Sequence, residues 1–240
     1  MNYFSHIQKL LQTVEVHESK TMTQAAEKIA NSIKQDGIVH LFGCGHSHIL
    51  TEETFYRAGG LVPVHPIFHE PLMLHEGATR SSTLERKNNY AKKFMEDQDI
   101  RVGDIMIVVS NSGRNPVPVD VALIAKEKGA TVIGITSITY AKSQPSRHIN
   151  SKYLHEVVEV VIDNHAPTGD AVLSHPEVSV NYGPVSTAIG ATIINNVFAE
   201  AITLLADQKM EAPVFLSGNL EGADQHNKMM MEKYKDRIKF

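Results

Sequence analysis

The chain has 240 residues, with 23 Lys and Arg against 27 Asp and Glu, a formal net charge of −4 with histidine neutral. That balance excludes a strongly basic nucleic-acid binder as the first reading, and 42% hydrophobic with 21% charged residues excludes a disordered chain. A single cysteine excludes a disulfide framework and a thiolate zinc site.

The first residues, Met1 to His6, show no basic region followed by an apolar one, which predicts no secretory signal and a cytoplasmic protein. A short helix is expected first, with Ile7, Leu10, Leu11 and Val14 on its buried side. A second is expected from Thr21, where Met22, Ala25, Ala26, Ile29, Ala30 and Ile33 recur at helical spacing up to Asp36-Gly37. After Gly37 come short apolar runs that read as strands: Ile38–Phe42, Leu61–Ile67, Ile105–Val109, Thr131–Ile135 and Val157–Ile162. Pro63 and Pro66 place the second of these at a sheet edge. Helices are expected between them over His46–Ala58, Leu84–Met95 and Val117–Lys128, with Pro116 in a first turn and Gly129 as a stop. Near-continuous apolar strands alternating with helices predict a parallel sheet covered on both faces, with the loops after the strands at one edge.

The last third predicts a loop over Asp163–Tyr182, a long helix over Val185–Asp207 and a charged helix over Glu221–Arg237. The stretch Val178–Ala199 is free of lysine, arginine and aspartate, but its asparagines, threonines, Gly183 and Pro184 argue for a buried loop and helix rather than a membrane span. The expectation is one α/β domain over 1–240, with a core of about 20–210, helical extensions at both ends and the C-terminal one over about 211–240.

Two strand-to-helix turns carry the chemistry. Gly43-Cys44-Gly45-His46-Ser47-His48 follows the first strand, and Ser110-Asn111-Ser112-Gly113-Arg114-Asn115 follows the third. Glycines let the backbone turn sharply, the new helix points free N–H groups outward, and the serines add hydroxyl donors, a combination suited to a phosphate monoester. The same residues also serve as ordinary turn and cap material. A dinucleotide fingerprint needs a third glycine where His48 stands, and no Gly-Lys-Ser/Thr ending of a nucleotide phosphate loop occurs.

At these turns the chain resembles the sugar isomerase (SIS) family. Gly43, Gly45 and Ser47 match its Gly-x-Gly-x-Ser turn, and Ser110, Ser112 and Gly113 its Ser-x-Ser-Gly turn. Val132–Ser137 and Gly183-Pro184-Val185-Ser186-Thr187 are similar to family segments. Asp163–Ala171, and Asn219–Gly222 with His226-Asn227, resemble a bacterial SIS group that carries a phosphoheptose isomerase label. The resemblance spans about residues 20–210. It implies a flavodoxin-like (SIS) five-stranded parallel sheet, a phosphosugar ligand, and homodimers or homotetramers. By the motif match it implies phosphate contacts from Ser47, Ser110, Ser112 and Asn115; Gly45, Asn111 and Gly113 of the same loops are further candidates for the phosphate, and His46, Ser137 and Ser186 are candidates toward the sugar. Asn115 stands where the family usually has Ser or Thr.

Isomerisation of a sugar phosphate needs a base beside the carbonyl carbon. The glutamate that phosphoheptose isomerases keep after the first loop falls on Arg57 here, with Glu52 and Glu53 nearby, so that transfer fails. Glu85 follows the second strand; read blandly, it is a solvated acid in the first turn of a helix, where the dipole favours it. Glu177 lies in a long loop over the same edge and is a second candidate. His226 lies on the last helix, where exposure is the default, but the resemblance implies a terminal-region histidine in the site, suited to proton transfer near neutrality. Six of the 13 histidines fall between His40 and His75, but no zinc signature appears, and the reading includes no metal and no cofactor. The lone Cys44 reads as a filler. The expected function is a sugar-phosphate isomerase; a lyase or etherase and a non-catalytic phosphosugar sensor acting through a partner are the alternatives. Neither nucleic acid nor membrane is an expected partner.

Overall fold

The computed structural model describes residues 2–240. Helix α1 runs unbroken over Tyr3–Lys34, so the two helices expected there are one. Glu15 to Lys20 holds neither glycine nor proline, so nothing interrupts the backbone ladder. The Asn2 side chain caps the start by accepting the Ser5 N–H at 3.0 Å.

The five expected strands form: β1 Val39–Gly43, β2 Val64–Pro66, β3 Ile105–Val109, β4 Thr131–Thr136 and β5 Val160–Asp163. All neighbours pair parallel, in the order β2-β1-β3-β4-β5. Between them lie α2 (His48–Thr54), α3 (Ala78–Glu85), α4 (Lys92–Met95), α5 (Pro116–Glu127), α6 (Ile138–Lys142) and α7 (Leu154–Val157). The short strand β2 sits at the edge, as its prolines require. Strand β5 begins three residues later than expected because Leu154–Val157 closes a helical turn.

Alternate strand residues face opposite layers, the period-2 rule of a strand. Ile105, Ile107 and Val109 join the core under α1 and the long helix α8 (Ser186–Asp207). Met106 and Val108 join the core under α4 and α5. Helix α8 has the length and apolarity to cross a membrane, yet Ile189, Ile193, Ile194, Val197 and Leu205 are packed into the first core. It is a core helix.

Three further elements differ from expectation. Leu84–Met95 is not one helix: α3 ends at Glu85, and Asn89 takes a left-handed turn (φ 61°) before α4. The expected loop over Asp163–Tyr182 contains an exposed antiparallel hairpin, β6 (Leu173–His175) with β7 (Val178–Tyr182). The last helix, α9, covers only Ala223–Glu232. Beyond it, Arg237 returns to the amino ends of the strands and meets the buried Asp104 carboxylate at 2.6 Å.

Candidate functional site

The sheet register builds the site. Gly43 pairs with Val109, so β1 and β3 end level and their loops leave the sheet side by side. In the order 2-1-3-4-5 this is where the chain departs in opposite directions, the crevice in which open parallel sheets bind ligands. Glycines are required for steric reasons. A Cβ on Gly43 would stand 2.5 Å from the Ser47 carbonyl group, and Gly45 and Gly113 adopt φ of 56° and 58°. The first loop coils through a 3-10 turn, Gly45–Ser47, into α2, and the second feeds α5 through Pro116.

Hydroxyl commitments separate the serines. Among the described residues, the side chains of Ser47, Ser110 and Ser112 make no hydrogen bond within the chain, although Ser110 is buried. Ser137, in contrast, is fully buried, donates to the Ala166 carbonyl at 2.6 Å and caps α6 through Tyr140 N–H. Ser186 donates to Asp170 at 2.6 Å. A small cleft gathers Ser47, Asn111, Asn164, Ser186 and Thr187 over Leu50, Val109, Ile135 and Gly190. Asn111 accepts from Asn164 at 2.9 Å, and among the described residues its own amide hydrogens have no partner. Ser110, Ser112 and Asn115 stand on the second loop outside that lining.

Asn115 holds a second corner together. Its amide donates to Glu85 at 2.9 Å, and its oxygen accepts from Arg147 at 3.0 Å. Glu85 therefore ends α3 rather than starting a helix, at the pole where the dipole disfavours a carboxylate. Burial raises its pKa and outweighs the Asn115 hydrogen bond and the Arg86 and Arg147 charges. Its field also reaches Cys44 in the first loop; burial, then Glu85, pushes that thiol well up, which leaves it un-ionised and a packing residue.

The remaining predicted residues lie apart. His46 is exposed on the first loop. His48 is engaged by the Gly45 carbonyl and by Glu52 at 3.5 Å, and so braces that loop. Glu177 occupies the exposed hairpin turn, where its N–H meets His175. His226 contacts the Val214 carbonyl at 2.9 Å, and Val214 bridges Leu61, just before β2. That is the amino edge of the sheet, opposite the loops. Among the described residues no three His, Cys, Asp or Glu side chains gather as a metal-ligand set.

Asn164 and Thr187 lie in segments that resemble the family, but the sequence did not mark them as site residues. Asn164 is the residue after β5, the position that Cys44 and Ser110 hold after their strands, and that signal was available. His165 beside it takes φ 52° and meets Glu18 of α1 at 3.0 Å, a pair no spacing rule could reveal.

The fold and these loops define a flavodoxin-like α/β protein with uncommitted serine hydroxyls on the two loops that leave the sheet's switch point side by side. The SIS domain model matches residues 2–137, and the chain belongs to the SIS domain family. Within it, the chain is 60% identical over 237 residues to a UPF0309 protein of Halalkalibacterium halodurans, covering 99% of this chain and 95% of that one. A UPF0309 protein of Caldanaerobacter subterraneus subsp. tengcongensis is 43% identical, covering 99% and 98%. Among solved structures, the phosphoheptose isomerase of Francisella tularensis superposes with a TM-score of 0.54 at 12% identity, covering 83% of this chain and 94% of that one. That of Neisseria gonorrhoeae gives 0.52 at 16%, covering 85% and 95%. These two likenesses establish the fold.

Proposed function

We propose that the chain binds a sugar phosphate across the β1–β3 edge and isomerises it by removing a proton beside the carbonyl. Ser47, Ser110 and Ser112, with the loop N–H groups, take the phosphate oxygens, and Asn111 and Asn164 face the sugar. The observation that carries the reading is Glu85, a carboxylate with a raised pKa, bonded to the second loop and within electrostatic reach of the first. A base of this kind gains proton affinity from burial, as proton abstraction from carbon requires. The proposal gives the transfer to Glu85 because His226 stands at the opposite edge and Glu177 on the hairpin turn. Self-association belongs to the same proposal, since Phe4, Val16 and Val180 leave large apolar side chains exposed. Light scattering should then give at least twice the 26.5 kDa chain mass.

Incubation with a panel of aldose and ketose phosphates in heavy water tests the chemistry. Deuterium should enter beside the carbonyl, and Glu85→Gln should stop it while binding persists. Lactate release from a lactyl-ether sugar phosphate would transfer the reading to an etherase. Tight binding without exchange would make the chain a sensor, and no binding of any sugar phosphate would end the proposal.

A further inference from the structure

The seven arginines fall into unlike groups. Arg57, Arg101 and Arg237 each have a carboxylate oxygen within 4.0 Å, at 3.3, 2.7 and 2.6 Å. Among the described residues Arg80, Arg86, Arg114 and Arg147 have none, although the chain is acidic overall. Of these Arg80 lies apart on α3, while the other three share a corner of the loop edge. Arg114 is part of the second loop, and its carbonyl accepts the Arg147 N–H at 2.9 Å. The Arg147 guanidinium lies on Asn115, the Asn115 amide lies on Glu85, and Arg86 follows Glu85 in the chain. Among the described residues the only other partner of these guanidinium groups is the Pro145 carbonyl, which Arg114 Nε meets at 2.8 Å.

Each guanidinium has five donors, so most of the donors at this corner are unused. Glu85 is the one acid among them, and its oxygen already accepts from Asn115. The neighbouring cations also act on each other: desolvation, then Arg114 and Arg86, lower the Arg147 pKa. A surplus of fixed positive charge beside a ligand edge raises the local concentration of anions, and planar guanidinium groups suit the paired oxygens of carboxylate and phosphate.

We infer that Arg86, Arg114 and Arg147 form a second oxyanion subsite, which takes an acidic group carried near the carbonyl end of the sugar phosphate. The inference rests on the proposed function, because the arginines surround the base and the base defines that end. The free serine hydroxyls hold the phosphate, so the ligand class is a sugar phosphate with a second negative group, either a carboxylate or a second phosphate.

Titration calorimetry with matched pairs tests it. Alditol phosphates of pentose, hexose and heptose length are compared with the aldonic acid phosphates that differ only in a carboxylate at the first carbon, and with the sugar bisphosphates. The acid or the bisphosphate should bind about tenfold or more tightly than the alditol phosphate, and whichever does identifies the second group. Arg86→Gln and Arg114→Gln should each remove most of that preference, and Arg86→Gln should leave alditol phosphate affinity unchanged. Equal affinity across the pairs, or a preference that survives the double variant, would overturn the second subsite alone. Failure of every phosphate to bind would overturn the phosphosugar reading, and this inference with it.

Discussion

Glutamine at Glu85 should have two effects of opposite sign. Losing the base should lower the exchange rate by about a hundredfold or more. Burial raises the carboxyl pKa above its usual 4.5, so the folded protein binds the proton more tightly than the unfolded chain. Stability therefore falls as pH rises from the unfolded pKa through the folded one, and the ionised form is a burden at neutral pH. Glu85→Gln removes it and should raise Tm by about 2 °C at pH 7, read by calorimetry. Exchange in the native protein should fade as pH drops through the same mildly acidic window. Ser47→Ala should weaken sugar phosphate binding about tenfold and leave Tm almost unchanged, because its hydroxyl has no partner among the described residues. Ser47, Ser110 and Ser112, the proposed phosphate contacts, were legible as loop residues because residue type and distance from a strand end place them on the turns after β1 and β3. Asn115 was legible only as a donor. Its bonds to Glu85 and Arg147 join residues 30 and 32 positions away, and no local rule encodes them.

The first turn tests how far one element dictates the site. Gly43→Ala would press a Cβ against backbone atoms of Ser47, which cannot swing aside as a flexible side chain can. The loop must shift, at a cost of about 2 kcal/mol in urea unfolding, and phosphate binding should fall with it. At Gly190 the atom met is a Leu50 methyl, so Gly190→Ala should be milder. The strands and α5 were readable from apolar runs closed by Gly, Pro and Asn. The ends of α3 and α4 were not, because the apolar spacing of Leu84–Met95 imitates a helix while Asn89 reverses the chain inside it. A single helix over that stretch would put Glu85 at the favourable pole of a helix dipole; the actual end of α3 puts it at the unfavourable one.

Across the whole molecule, the C-terminal segment is fastened by charge at the edge opposite the loops. Asp104 is fully buried and accepts from the backbone N–H groups of Ile38 and Arg101, from His40 and from Arg237. Burial opposes its ionisation, but these bonds prevail and hold its pKa well below the usual carboxyl range. A depressed folded pKa gives stability that is present above the unfolded value of about 3.9 and is lost as pH falls below it. Acid unfolding should therefore begin near pH 4. Arg237→Ala leaves that carboxylate without its cation and should cost about 3 kcal/mol by denaturant titration. We also propose that the chain is one folding unit of 1–240, so heat should give a single transition by both circular dichroism and tyrosine fluorescence. A separate early transition from residues beyond 210 would overturn this.

By itself the sequence determined the parallel α/β layering, the edge position of β2 and the two serine-bearing turns. Each of these follows from local rules: strand and helix periods, proline's missing N–H, and glycine's freedom at positive φ. Only the tertiary structure decided that Gly43 and Val109 stand level, that Asn164 lines the cleft, that Glu85 is half-buried against Asn115, and that Arg86, Arg114 and Arg147 gather near it with no carboxylate partner among the described residues. Those outcomes depend on strand register and on helices packed from distant parts of the chain, and a pKa or a charge surplus exists only once such neighbours have been brought together.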